Sequence, residues 1–468
     1  LVSVVAMLLA VTACETWTSS GRDPAFTSFN PDDTAISAAN VSQLTKEFSV
    51  AAKTAPVFGV GVGFVGSGQQ LVAFDPSGTV GCAGSPRTCQ PEWTATVGTA
   101  ADQVASSPVV DENRVYVFAS PTQFLAEPST LYAFDASGKQ GCEGSPKVCS
   151  PLWTASVPHA QTWITAADGV VVVASGDALF EFDGAGQQGC SGSPVVCTPV
   201  RQTAQRQPFF AAPAISGNRV YVAFSAPNSG ALEVYSLDGD AGCSGSPSIC
   251  VPVWTGDATS LANQTQGLAG ASVVDGRVFM PLDGVAGGSD GVEFDANGVQ
   301  GCNANQTVQT APVVVATVCQ PVMESPALGT QATVQDRPAG AYDRVFVLQP
   351  QGLRAYDALA TGCTGTVRCQ PLYTLDSAFG TVIVANHLAY AEVTLGFSAF
   401  GIGVFDADGV QGCSGTPTHC QPIFTMAGVG TPVAVFDGKL FVRSSILTSS
   451  GTFITSIDAY AIPSAAPS

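Results

Sequence analysis

Short apolar segments recur along the whole chain, broken by turn residues and never merging into a long helix-period pattern. Arg114-Val-Tyr-Val-Phe118 has counterparts in Arg219-Val-Tyr-Val222 and Arg277-Val-Phe279. Each follows a small-residue segment, such as Ser107-Pro-Val-Val110, and a tight turn. The turns read Asp111-Glu-Asn113, Ser216-Gly-Asn218, Asp275-Gly276 and Asp437-Gly438. Such residues accept the positive φ angles that a two-residue hairpin demands. A third segment, Leu131–Asp135, ends in a recurrent Phe-Asp-x-x-Gly, and a fourth, Leu152-Trp-Thr-Ala-Ser156, follows. One period therefore holds four strands, enough for one twisted antiparallel sheet.

Counting the third strand sets the size of the assembly. Its terminal Asp falls at Asp75, Asp135, Asp183, Asp238, Asp295, Asp357 and Asp406, and an eighth copy, Ile457–Ile462, carries Pro463 in that place. No fourth strand follows this last copy, while Leu44–Val50 reads as a fourth strand with nothing before it. Pairing the two closes the ring and removes the open sheet edges that invite aggregation. A strand-only repeat near fifty residues reads as propeller blades. The expected fold is all-β: an eight-bladed β-propeller of four-stranded antiparallel blades, closed by the N-terminal strand.

Between third and fourth strands lies a repeated cysteine phrase, as in LVAFDPSGTVGCAGSPRTCQPEW from Leu71 to Trp93. Of 15 cysteines, 14 form seven neighbouring pairs: Cys82/Cys89, Cys142/Cys149, Cys190/Cys197, Cys243/Cys250, Cys302/Cys319, Cys363/Cys369 and Cys413/Cys420. No CxxC occurs and only 3 His exist, so metal-ligand spacing fails and disulfides in an oxidising compartment are expected. Closing an eight-residue loop contributes roughly 2.5 kcal/mol by the chain-entropy argument. Loops between third and fourth strands all emerge on one side of a propeller. The seven closures should ring that face and staple exposed loops, stiffening them rather than joining distant parts.

Charge and the N-terminus bear on compartment. The formal net charge is −19, from 36 acidic and 17 basic residues, which argues against nucleic acid and anionic lipid as partners. The apolar run Leu1–Ala13 is too short to span a bilayer and reads as the core of an export signal. Val11-Thr12-Ala13-Cys14 is similar to a bacterial lipobox, which places a lipid anchor on Cys14. The expected organisation is a signal over residues 1–14, a linker over 15–40, the propeller over 41–463 and a tail over 464–468. The expected location is extracytoplasmic, on a bacterial membrane through the anchor alone, as a monomeric propeller.

The phrase small-Pro-Val-Val, turn, Val-Tyr-Val, Tyr-Ala-Phe-Asp, Trp resembles the repeat of the pyrroloquinoline-quinone (PQQ) propellers, over roughly residues 21–463. Asn40-Val-Ser-Gln-Leu44 with Phe48 is similar to the N-terminal strand of quinoprotein alcohol dehydrogenases. The family also includes non-enzymatic members, among them the propeller lipoprotein of the outer-membrane barrel-assembly machinery. The disulfide loop departs from the family repeat, whose turn runs straight into the Trp strand. The Trp position itself holds Trp93, Trp153, Arg201, Trp254, Met323, Tyr373 and Phe424, a set suited to packing between blades.

Ligands of such propellers bind on the face of the blade-to-blade connections. There the candidates are His159, Gln161, Trp163, Arg206, Gln207, Phe209, Phe210 and Gln266, rings beside amides that suit a neutral or glycan-like ligand. No catalytic residue emerges. A PQQ dehydrogenase needs calcium-ligating carboxylates and amides and an Asp base, and no such set is assignable. Asp406-Ala-Asp408-Gly409 lacks the terminal Glu of a calcium loop. His159, His387 and His419 have no nucleophile motif beside them. The reading is a non-catalytic envelope platform without metal or cofactor, binding envelope proteins or a small ligand. A PQQ-dependent dehydrogenase with Ca²⁺ and a carbohydrate-binding surface module are the alternatives.

Overall fold

Strands of alternating small and β-branched residues hydrogen-bond in the order that the repeat implies. In the computed structural model, the second blade pairs Val109–Asp111, Arg114–Pro121, Ser129–Asp135 and Trp153–Val157 antiparallel, with Tyr116 opposite Ala133 and Ala133 opposite Trp153. Eight such sheets form an eight-bladed propeller. The structure describes residues 15–463 except 99–101, 105, 122–127, 159–161, 177, 205–210, 224–231, 259–264, 267–269, 285–287, 309–313, 325–336, 350–351, 360–362, 364–368, 397–398 and 448–452. The signal, Cys14 and the tail lie outside these.

Ring closure follows the expected route. Thr45–Ala51 pairs with Phe453–Ala461, Val50 opposite Ile457, and becomes the outer strand of blade 8. Lys46 reaches Asp458 at 2.8 Å across the same seam. First and last segments of the chain thus share one sheet.

The Trp position packs blade on blade. Trp93, Trp153 and Trp254 are almost fully buried, and each ring lies over the glycine of the next blade's Asp-x-x-Gly turn. A Cβ on Gly186 would sit 2.4 Å from the Trp153 ring, and Gly186 also has φ +70°, so both sterics and backbone demand glycine. Phe48 takes the same role for blade 8 against Gly78. Where Arg201 replaces the Trp, its stem packs on Gly239 and its guanidinium pairs with Glu181 on the neighbouring strand. Burial pushes the Glu181 carboxyl up to about 7, against the pull of Arg201.

The recurrent Asp is a turn former. Asp135 accepts backbone N–H groups from Ser137, Lys139 and Gln140, and Asp183, Asp295 and Asp406 repeat the pattern. Burial pushes the Asp75 carboxyl up, but hydrogen bonds from Val80, Ser77 and Thr79 outweigh it and hold the group well below the usual range.

Two expectations are corrected. All seven disulfides form as paired, but their hairpins do not merely stiffen exposed loops. Six of them reach back and lie parallel to the outer strand of the preceding blade, with Val148 opposite Thr94, Val196 opposite Thr154 and His419 opposite Thr374 among the pairs. Most blades are therefore six-stranded, and the cross-links sit on the perimeter as inter-blade clasps. The second cysteine of every pair is accordingly buried and not held out in solvent: Cys89, Cys149, Cys197, Cys250, Cys319, Cys369 and Cys420. Cys149 joins the apolar cluster of Trp93 and Phe134 between blades 1 and 2. Cys250 joins that of Val172 and Tyr235 between blades 3 and 4. Their partners Cys142 and Cys243 stay half-buried at the rim. The physical reason is the unsatisfied outer edge of each four-stranded sheet, which a short hairpin can pair. Pairing carries the strand that bears the second sulfur into the joint.

Residues 15–40 are not a linker. Trp17, Phe26 and Ile36 are buried, and Phe29–Asn30 pairs parallel with Val384–Ala385 of blade 7. The segment runs inside the ring of inner strands, whose inward edges otherwise have no strand to pair with. Phe58, Val110, Ile215, Val273, Gly340 and Val384 donate their backbone N–H to the carbonyls of Trp17, Thr18, Pro24, Ala25, Thr27 and Ser28 respectively. Asn30 Nδ2 donates to the Val435 carbonyl at 2.7 Å. The donors hold one register, two residues before each blade's first turn. Positive φ at Arg22, Phe26 and Ser28 turns successive carbonyls outward to the blades. The N-terminal segment is a plug.

Candidate functional site: an axial funnel floored by the plug

Above the plug, on the face of the blade-to-blade connections, the axis opens into a funnel of about 390 Å³. Ser19, Ser20, Gly21, Phe26 and Ser28 of the plug line it from within. Ser107, Trp163 and Thr381 come from the leading ends of inner strands, Lys53 from the connection between the closing strand and blade 1, and Arg443 from the second strand of blade 8. The site is built by radial convergence: residues from several blades and their connections line it, and the plug closes the bottom.

Its charge runs against the rest of the molecule. Lys53, Arg337 and Arg443 line the funnel, and no carboxylate does among the described lining residues. Arg337 sits 3.7 Å over the Phe26 ring and donates to the Ala271 carbonyl at 2.7 Å and the Ala212 carbonyl at 2.5 Å. Burial pulls its pKa down to about 9, so it is still charged at neutral pH. Among the described residues, carbonyls and a ring face hold this guanidinium.

Of the residues proposed for the ligand face, Trp163 lines the funnel, half-buried. The backbone of Gln266 lies in a short strand opposite Asp283. His159, Gln161, Arg206, Gln207, Phe209 and Phe210 lie outside the described residues. Sequence reasoning missed Lys53, Arg337 and Arg443, because nothing local marks a residue as facing the axis. It also missed the plug, although Trp17, Phe26 and Phe29 are a poor composition for a solvated linker. His387 hydrogen-bonds Asp408 at 2.9 Å and stacks on Tyr342, and His419 bonds Asp376 at 2.7 Å between blades 7 and 6. Neither neighbours a nucleophile.

No family model matches the chain, and no curated protein does. Solved structures do. The quinohemoprotein alcohol dehydrogenase of Comamonas testosteroni aligns with a TM-score of 0.54 at 12% identity, over 97% of this chain and 81% of that one. One from Pseudomonas putida HK5 gives 0.53 at 12%, over 97% and 82%. The chain has the fold of the quinoprotein propellers. At this identity the likeness carries fold and no activity.

Whether this propeller suits a calcium-held quinone is a question of donors. Calcium takes six to eight oxygens, chiefly from carboxylates and carbonyls. The described funnel residues offer three cations, hydroxyls and one indole. Among the described residues no three of His, Cys, Asp and Glu cluster anywhere. That donor set does not fit Ca²⁺.

Proposed function

We propose that this chain is a non-catalytic platform of the bacterial cell envelope, exported and held to a membrane by a lipid on Cys14, whose propeller binds a partner protein. One observation carries the reading: the chain's own residues 17–30 occupy the axis and take up the inner-strand N–H groups. The interior left to a ligand is a shallow funnel without calcium donors among its described residues. The disulfide clasps support the same reading, because a rigid rim can present a surface with little ordering cost on binding.

The test uses the full chain made in an exporting host. Labelled palmitate should be incorporated and lost in Cys14→Ser. Titration calorimetry should give no Ca²⁺-dependent binding of PQQ, and alcohol should drive no dye reduction. Calcium-dependent PQQ binding with alcohol-dependent reduction would overturn the platform. PQQ is itself a polycarboxylate, so calcium-independent uptake without reduction would be charge capture by Lys53, Arg337 and Arg443 and would leave the platform standing.

A further inference from the structure

Among the described residues, every blade but one has its outer edge covered. The hairpin Cys82–Cys89 of blade 1 covers the closing strand of blade 8, Arg87 opposite Phe48. Those of blades 2, 3, 4, 5 and 7 cover blades 1, 2, 3, 4 and 6. In blade 5 the Cys369 N–H donates to the Glu324 carbonyl at 2.9 Å, which is the same clasp from blade 6. The exception is blade 7. Its outer strand Phe424–Ala427 pairs inward with Phe400–Asp406, and no described strand pairs its other side. The covering hairpin would come from blade 8, where Ala461, opposite Lys439 as Asp135 is opposite Arg114, and not Pro463 stands in the place of the turn-forming Asp.

The vacant edge has the register of the filled ones. In covered blades the first and third residues after the Trp position point their N–H outward: Thr154 to Val195, Thr374 to Thr418, Asp376 to Cys420 and Asp257 to Cys319. The equivalents in blade 7 are Thr425 and Ala427, whose N–H groups have no partner among the described residues. The strand reads Phe-Thr-Met-Ala and carries no Lys, Pro or bulge, the devices that protect exposed edges. At its upper end Phe400 is 57% exposed and packs edge-on against Phe379, with Leu395 also exposed beside it. An unprotected edge beside an apolar patch is the surface expected of a docking site.

We infer that the outer edge of blade 7 is a strand-addition site, and that its occupant is a β-hairpin of a partner protein, aligned parallel to Phe424–Ala427. The occupant's chemistry follows from the five edges filled by hairpins with cysteines seven residues apart: a short hairpin rich in small and β-branched residues, closed tightly enough to lie flat. Six hairpins of this chain pair with other blades and Cys369 bonds blade 5, so none of these is free to cover blade 7, and the proposed occupant is a partner's. The inference deepens the platform reading and rests on it, by naming where the platform takes a partner.

The probe is a synthetic disulfide-closed peptide with the sequence of residues 411–422, titrated into the full chain. Weak saturable binding at one site is expected, and amide hydrogen exchange at Thr425 and Ala427 should slow on saturation. Thr425→Pro removes one donor at a position where an edge strand tolerates proline, and should weaken binding by about tenfold or more. Binding that ignores Thr425→Pro, or exchange protection elsewhere, would overturn the inference, as would no binding at all. Protection of both amides in the free chain, without peptide, would show that its own sequence fills the edge and would equally overturn it. None of these outcomes bears on the PQQ test, so failure of the docking edge is distinguishable from failure of the platform.

Discussion

Glycine at the third position after the recurrent Asp does two jobs at once. It supplies a left-handed backbone and leaves the space that an aromatic ring from the neighbouring blade fills. Gly138, Gly186, Gly298 and Gly409 all meet such a ring within 2.4 to 2.6 Å of where a Cβ would stand. Gly217, in a hairpin turn with φ +52°, meets nothing within 4 Å. The pair separates the two terms. Gly217→Ala should cost about 1 kcal/mol, the left-handed backbone alone. Gly186→Ala should cost about 2–4 kcal/mol, because overpacking against Trp153 adds to it. Denaturant midpoints of the two variants read the difference, and equal costs would mean the Trp ladder yields freely. Much of this was legible in the repeat: an Asp-x-x-Gly turn and a Trp at fixed spacing imply a turn and a buried ring. That the two touch across blades was not, since partners 45 residues apart, such as Gly138 and Trp93, are joined by the ring and by no local pattern.

Among the elements, the disulfide hairpin is the departure from an ordinary blade. A four-stranded sheet in a ring has one edge on the axis and one on the rim, and both carry unpaired backbone groups. The hairpin covers the rim edge of the blade before it and so acts at a distance from its own sequence. Replacing Cys190 and Cys197 by Ala should cost about 2.5 kcal/mol from loop closure. It should also speed amide exchange at Thr154 in blade 2, whose N–H donates to Val195. A stability loss with Thr154 unchanged would make the disulfide a loop staple and nothing more. The pairing itself was readable from cysteine spacing. The clasp was not, nor the burial of Cys149 and Cys250 that comes with it, because which edge a hairpin meets depends on the placement of a neighbouring sheet.

For the whole molecule, the plug is to the axis what the hairpins are to the rim. It meets inner strands of seven blades, six through their N–H groups and blade 8 through the Val435 carbonyl. Trp17 is fully buried, with Phe26 and Ile36 nearly so. Water could replace the lost hydrogen bonds in an opened channel, so apolar burial dominates the cost of removing the segment. At about 1.5–3 kcal/mol for each large apolar side chain, a chain lacking residues 15–40 should lose at least about 4 kcal/mol. Chemical denaturation of the shortened chain measures it, and an unchanged midpoint would reduce the plug to an adornment of a ring that stands without it.

The sequence by itself determined the repeat, the blade count, the ring closure through Leu44–Val50 and the seven disulfide pairs. These rest on local signals: strand alternation, turn residues with positive φ, cysteines a few residues apart, and a half-blade at each end. Only the tertiary structure decided where the edges go. The hairpins settle on neighbouring blades, residues 17–30 fill the axis, and Lys53, Arg337 and Arg443 converge on one funnel from distant stretches of the chain. Such contacts join residues by the curvature of the closed ring, and a chain read one residue after another carries no record of that curvature.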